Sequence, residues 1–435
     1  MEHTELFNRG IDELMAGRFD EAKRLFAENE ERAGTASQTR DILRQAETNL
    51  AAGNLDAGAM QLNTVLEFNP TIPEAYLGLT RVALFTGQLD DASLHAMAAV
   101  KVAPQLGLSW TMLGLVHEAK AEVEDALQNL EVGAQLGAEV FLCQFNFGRV
   151  LASAGRAGEG IPFLIRATEL ESKNPAGFMI LGIAQMKLNQ LEKAIKAFEK
   201  VKDIAPKSLD GWATLADVFF EAKRFDAARA TLDNGLVAVG DHPALLEKAI
   251  ACAMKLDDTK GAIAYVEREL AVAPHHEQSW LNLASLSLLA GNLDRSEQAA
   301  RELIKLNPQN WEAWFHLGNL FDAMPDEAKA EDAYRNALNI NGDSWKVLMN
   351  LATLLVQTTV KSKHEEAKDL LYKAKEFAPH GEWRVHYNLA LAHARLGETK
   401  EALELAREIQ TRAPANDQMF AEAKKLDSNL LDESI

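Results

Sequence analysis

Between His276 and Gly342 the chain writes one pattern twice, end to end. Trp280, Leu283, Ala284, Ala300 and Pro308 in the first copy are matched by Trp314, Leu317, Gly318, Tyr334 and Gly342 in the second. Every pair is 34 residues apart, as Trp280 is from Trp314. A fixed period of that length marks a stacked helix–turn–helix array. Setting Trp280 and Trp314 at position 4 puts Pro308 at position 32. Positions 4, 7, 8 and 11 (Trp314, Leu317, Gly318, Phe321) then share one stripe of a first helix, and positions 20, 24 and 27 (Ala330, Tyr334, Ala337) one stripe of a second. Small residues at 8 and 20 let the two helices approach, while large ones at 4, 11 and 24 fill the space around them. Proline at 32 lacks the amide hydrogen that a helix interior needs, so the second helix stops there.

These residues resemble the tetratricopeptide repeat (TPR) family, with its pattern W-x2-L-G-x2-Y, then A-x3-F, A and P at these offsets. Trp314, Leu317, Gly318, Phe321, Ala330, Tyr334 and Ala337 fill its slots, and only the final proline is replaced, by Gly342. The phase persists along the chain. Position 32 falls on Pro70, Pro104, Ala138, Ser172, Pro206, Gly240, Pro274, Pro308 and Gly342, and position 4 on Tyr76, Trp110, Gln144, Phe178, Trp212, Leu246, Trp280 and Trp314.

The resemblance implies an all-α, right-handed superhelical solenoid of about twelve repeats over residues 1–416. The repeats start near residues 3, 39, 73, 107, 141, 175, 209, 243, 277, 311, 345 and 383. Residues 417–435 read as a C-terminal capping helix and tail, with Phe420, Ala423 and Leu426 on one face. The first repeat is degenerate, carrying Arg9 where leucine is usual. Gly-x-(Leu/Phe)-Asp recurs in the turns as Gly17–Asp20, Gly53–Asp56, Gly87–Asp90 and Gly291–Asp294. Glycine there closes the first helix in the left-handed conformation, and aspartate is expected to cap the second. In repeat eleven Ala367, Leu371, Ala374 and Pro379 arrive three residues late, which places the insertion in the turn around Thr359–His364.

Of the 435 residues, 47% are hydrophobic and 25% charged, and the net charge is −19. Such a surface repels nucleic acid and anionic lipid. No apolar run is long enough to span a membrane, and Met1 to Arg18 is no signal peptide. The two cysteines, Cys143 and Cys252, lie three repeats apart, form no pair and suit a reducing compartment. A cytoplasmic location is expected. Gly155–Gly160 looks like a phosphate loop but falls in a turn between two helices, where no strand precedes it. Gly160, in place of the usual alanine at position 20, suggests a locally softer repeat. The eleven histidines are scattered, with His275 and His276 at an inter-repeat turn. No catalytic set, cofactor site or metal site stands out, so no enzyme is expected.

The resemblance implies that first helices line a concave groove through positions 2, 5, 6, 9, 12 and 13. In repeats four to six these slots hold Thr111, Met112, Leu115, Phe145, Met179, Ile180, Ile183 and Met186. They form either an adaptable apolar groove or packing between repeats. Position 6 is asparagine at Asn8, Asn146, Asn282, Asn350 and Asn388, a ladder suited to holding a peptide backbone. Met112, Ile180, Thr214, Lys248 and His316 interrupt it. Asn319, Asn350 and Arg384 also match three of the five slots of the carboxylate clamp in chaperone-binding TPR proteins. The other two, Phe315 and Asn388, should be basic, so that clamp is not expected. The resemblance thus implies a non-enzymatic scaffold or adaptor that binds a protein or peptide partner in the groove. A co-chaperone or substrate carrier for extended or C-terminal segments is the alternative. The sequence fixes neither the partner nor the oligomeric state.

Overall fold

The structure is a computed structural model that describes the backbone of residues 2–432 and the side chains of residues 5–430. Met1 and residues 433–435 of the expected solenoid and tail lie outside the described residues. Only helices and their connections occur among the described residues. They form two compact units, Met1–Arg224 and Phe225–Ile435.

The N-terminal unit contains α1 (Glu2–Met15), α2 (Phe19–Ala33), α3 (Ala36–Ala51), α4 (Leu55–Phe68), α5 (Pro73–Phe85), α6 (Leu89–Val102), α7 (Gly107–Ala119), α8 (Val123–Leu136), α9 (Phe141–Ser153), α10 (Ala157–Leu170), α11 (Pro175–Lys187), α12 (Leu191–Ile204) and α13 (Leu209–Glu221). The C-terminal unit contains α14 (Phe225–Val239), α15 (Pro243–Lys255), α16 (Thr259–Val272), α17 (Glu277–Leu289), α18 (Leu293–Leu306), α19 (Trp311–Ala323), α20 (Glu327–Ile340), α21 (Trp345–Gln357), α22 (Lys361–Phe377), α23 (Trp383–Leu396), α24 (Thr399–Arg412) and α25 (Gln418–Asp432). Odd-numbered helices from α1 to α23 are the first helices of repeats, and even-numbered ones the second.

The pairs are built as the spacing requires. A β-carbon on Gly318 would lie 2.4 Å from the Tyr334 ring, so positions 8 and 24 meet where α19 packs on α20. Gly10 meets Phe26, and Gly182 meets Phe198, in the same way. Gly160 stands at position 20, where α9 and α10 meet. A β-carbon there would come within 2.5 Å of the Gly148 carbonyl, so the glycine permits a close approach of α9 and α10.

The residues at positions 4 and 32 are joined by a bond the spacing did not reveal. Trp110, Trp212, Trp280 and Trp314 each donate their indole N–H to the carbonyl of the proline ending the preceding repeat: Pro104, Pro206, Pro274 and Pro308, at 2.8, 2.8, 2.9 and 3.3 Å. Tyr76 donates to the Pro70 carbonyl at 3.0 Å. Where proline is missing, Gln144 serves instead, donating to the Ala134 carbonyl at 2.7 Å. Each bond ties the first helix of one repeat to the chain that closes the repeat before it.

Two turn expectations need correction. Gly17, Gly53, Gly87 and Gly291 do have positive φ, but Asp20, Asp56, Asp90 and Asp294 are not caps. They stand inside the first turn of α2, α4, α6 and α18, where a carboxylate still complements the helix dipole. For α18 the cap is Asn292, which accepts from the Arg295 amide at 3.2 Å. The insertion of repeat eleven lengthens the second helix rather than the turn. It spans 17 residues in α22 against 14 in α20, and Lys361–His364 are helical.

Within each unit the first helices of successive repeats touch. α5 meets α7 and α7 meets α9, while α17 meets α19 and α21 meets α23. Second helices approach one another less closely among the described residues. First helices therefore form the inner layer of each unit. α25 packs on α24 and α23, with Met419, Phe420, Ala423 and Leu426 against Ala406, Ile409 and Ala413.

Candidate partner-binding groove

The inner face of the N-terminal unit carries the apolar row. Met112 and Leu115 on α7, Phe145 on α9, and Met179 and Ile180 on α11 are all half-buried, and Ile183 is 36% exposed. Phe145 stacks on Phe141 at 5.2 Å, and with Ile180 it packs against the cluster of Ala152, Leu164, Leu181 and Ala184. These two side chains contribute to the core between repeats. Thr214 on α13 donates to the Met179 sulfur at 3.7 Å. Asn146 is buried, and its amide donates back to the Leu142 carbonyl of its own helix at 2.8 Å. Beside it, Arg149 reaches across to Glu118 on α7 through two bonds of 2.8 and 2.6 Å, tying neighbouring first helices.

The inner face of the C-terminal unit is polar. Asn282 on α17 accepts from Gln278 at 3.0 Å and stands apart from the others. Asn319, Asn350, Arg384 and Asn388 come together across α19, α21 and α23. Asn319 Oδ1 accepts from the Tyr334 hydroxyl at 2.9 Å and from Asn350 Nδ2 at 2.8 Å. Asn388 Nδ2 donates to Thr353 Oγ1 at 2.9 Å, and Thr353 in turn donates to the Met349 carbonyl. Asn350, Arg384 and Asn388 line a cavity of about 290 Å³ together with Asp322, Thr353, Tyr387 and Met419.

The charges of this cavity are set by its walls. Burial, reinforced by Glu327, pushes the Asp322 carboxyl above its usual range. The Arg384 guanidinium bonds Glu382 at 2.6 and 3.1 Å while remaining exposed at the rim. The cavity thus offers amides, a hydroxyl, a cation and a partly buried carboxyl within one apolar frame. That is a set for orienting a peptide main chain, with no nucleophile–base pair among the groups named.

Asp322, Thr353 and Tyr387 carry the signal of the repeat period. They occupy positions 12, 9 and 5, slots that also belong to the groove in repeats four to six. Met419 had no such signal, since α25 lies outside the period. Two further inner-layer residues, Phe85 and Leu289, stand at position 13 and are 80% and 75% exposed. Phe85 borders a larger cleft, about 600 Å³, with Leu50, Leu55, Arg81 and Val82.

Models of the tetratricopeptide repeat match residues 145–208, 252–302 and 281–345, then 192–250, and then 383–408. Together these stretches span more than half of the chain. The chain belongs to the tetratricopeptide repeat family. Among solved structures it is similar to PilF of Pseudomonas aeruginosa, at 20% identity, covering 46% of this chain and 92% of that one, with a TM-score of 0.40. It is similar to yeast Tom70 at 13% identity, covering 92% and 97%, with a TM-score of 0.42. A tetratricopeptide repeat protein of Parabacteroides merdae matches at 14% identity, covering 59% and 99%, with a TM-score of 0.44. No curated protein matches the chain. TPR arrays bind protein partners, and in that general sense this TPR protein is a protein-interaction scaffold. Among its described residues no helix is long and apolar enough to cross a membrane.

Proposed function

We propose that this TPR protein is a non-enzymatic adaptor in the cytoplasm that holds a segment of a partner protein against its first helices. The observation that carries this reading is the polar cavity across α19, α21, α23 and α25. Its amides at Asn350 and Asn388 can donate to and accept from a peptide backbone, and Arg384 offers a charge at the rim. Met112, Leu115, Met179 and Ile183 on the N-terminal unit supply an apolar surface for the side chains of a partner segment. Methionines suit such a surface because they adapt their shape.

A second reading, a co-chaperone or carrier for extended or C-terminal segments, draws on Asn319, Asn350 and Arg384, of which Arg384 supplies the charge. The test begins with partners retained by the immobilised full chain and identified by mass spectrometry. A purified partner is then titrated against Arg384→Ala and Asn388→Ala. Each substitution should cost about 1–2 kcal/mol of binding and leave the melting temperature unchanged. Amidating the partner's C-terminus weakens binding only under the second reading. Full affinity in both variants, and also in Met179→Ala, would remove the groove as the binding surface.

A further inference from the structure

Glu269 occupies position 27 of repeat eight, on the last turn of α16. In the other repeats from the second to the tenth that slot holds Val65, Ala99, Gly133, Ala167, Val201, Gly235, Leu303 and Ala337, all buried. A carboxylate in a core slot is costly unless it is paired, because its charge loses water. Glu269 is 1% exposed, and neither of its carboxylate oxygens accepts a hydrogen bond. The comparison within the chain is Glu30, also buried, which accepts from Thr39 and from Asn69 at 2.8 Å each. Glu269 has the Ser279 hydroxyl and the His276 imidazole nearby, but neither meets its carboxylate in hydrogen-bond geometry.

What surrounds it is a second carboxylate and an imidazole. His276 Nδ1 lies 3.4 Å from Glu269 Oε1. Ligand atoms of Glu247, Glu269 and His276 all fall within 4.8 Å of one another. The three come from α15, α16 and the residue preceding α17, so they span the junction of two repeats. A separation of 3.4 Å is long for an N–H···O bond, which prefers about 2.7–3.2 Å. It equals the spacing of two ligands on one tetrahedral zinc, each about 2.0–2.2 Å from the ion and so about 3.3–3.5 Å apart. Ser279, fully buried, bonds Nδ1 with its hydroxyl at 2.7 Å, a bond that the ring exchanges for the metal when one binds. Glu247 is exposed and can rotate to close the remaining gap. Burial above all, with the Glu247 charge beside it, holds the Glu269 carboxyl above its usual range despite Ser279 and His276.

We propose that Glu247, Glu269 and His276 form a divalent transition-metal site, fitted to zinc, that clamps repeat eight to repeat nine. Two carboxylates balance the ion's charge, and neutral imidazole supplies the nitrogen. Water completes the tetrahedron on the side of Glu247. The carboxylates must be ionised and the imidazole neutral to bind the ion, so affinity falls as pH falls. The other acid–histidine group of this kind among the described residues, His117, Glu122 and Asp125, is a weaker case. No member of that group is buried, so none of its carboxylates has lost the water that a metal would replace.

The test uses the full chain, stripped by a chelator and titrated with zinc alone by calorimetry and by thermal melting. Wild type should bind one zinc at this site and melt at a higher temperature with zinc than without. Glu247→Gln and His276→Ala alter solvent-reachable ligands and should each weaken zinc binding at least tenfold. Glu269→Gln should abolish the zinc-dependent rise while leaving the metal-free melt unchanged or higher. His117→Ala should leave the zinc-dependent rise intact. The proposal is overturned if zinc does not raise the wild-type melt, if Glu247→Gln and His276→Ala bind zinc as wild type does, or if only His117→Ala removes binding.

Discussion

His316 stands at position 6 of repeat ten, a slot that asparagine takes in five other repeats, and its ring is buried. Ser296 donates its hydroxyl to the Ala284 carbonyl at 2.9 Å, so it receives the His316 Nε2 hydrogen at 2.9 Å. That bond assigns the proton to Nε2 in the neutral ring. Burial then holds the His316 pKa below its ordinary value. A folded pKa below the unfolded one means that the unfolded chain takes up the proton first as pH falls. The stabilisation is complete above the unfolded value of about 6.5 and is lost as pH falls through the folded one. Urea unfolding at pH 7.5 and pH 5 should show wild type losing more stability than His316→Gln. Parallel losses would mean that this ring does not titrate on unfolding. At this scale the sequence revealed slots and not bonds. The asparagine ladder was legible as a period, yet Asn146 turns back on its own helix while Asn350 bonds Asn319. Period fixes the face of a side chain. Its hydrogen-bond partner depends on which groups the neighbouring helix brings near.

Helix pairs were the most legible level, because each is set by residues that recur. Gly318 is where this can be tested. Its missing side chain leaves room for Tyr334, which is fully buried in the face of α20. A leucine there would overlap the ring, and neither helix can retreat without opening its own contacts. Gly318→Leu should therefore destabilise by roughly 1–3 kcal/mol, read as a lower urea midpoint. An unchanged midpoint would place the contact of α19 and α20 elsewhere. What the repeat pattern hid at this level were the ends of helices. Lys361–His364 could belong to a turn or to a helix, since nothing in them breaks one. They extend α22, where His364 Nε2 reaches the Thr358 carbonyl at 2.7 Å. The turn aspartates misled in a similar way. Aspartate favours both the cap and the first turn, and the glycine before it sets the chain so that it falls inside the turn.

Among the described residues, the helices that pack closely within each unit are those one or two places apart along the chain. Stability then approximates a sum of repeat terms and nearest-neighbour interfaces, with no central core to spread a local loss. The net charge of −19 does not change this, because screening confines exposed charges to about 10 Å at 0.1 M salt. A defect in one repeat should therefore stay near it. Hydrogen exchange by mass spectrometry on Gly318→Leu can follow this along the chain. Protection should fall in α17 to α22, which contain the altered pair and its neighbours, and stay at wild-type levels in α3 to α8. Sub-global opening of this kind is what exchange detects below the global unfolding energy. The polar cavity would be weakened in that same variant, since Asn350 and Asp322 sit on the affected helices, while the Met112–Ile183 row would keep its geometry. An equal loss of protection in α3 to α8 would show one cooperative unit, and with it a coupling that nearest-neighbour contacts do not supply.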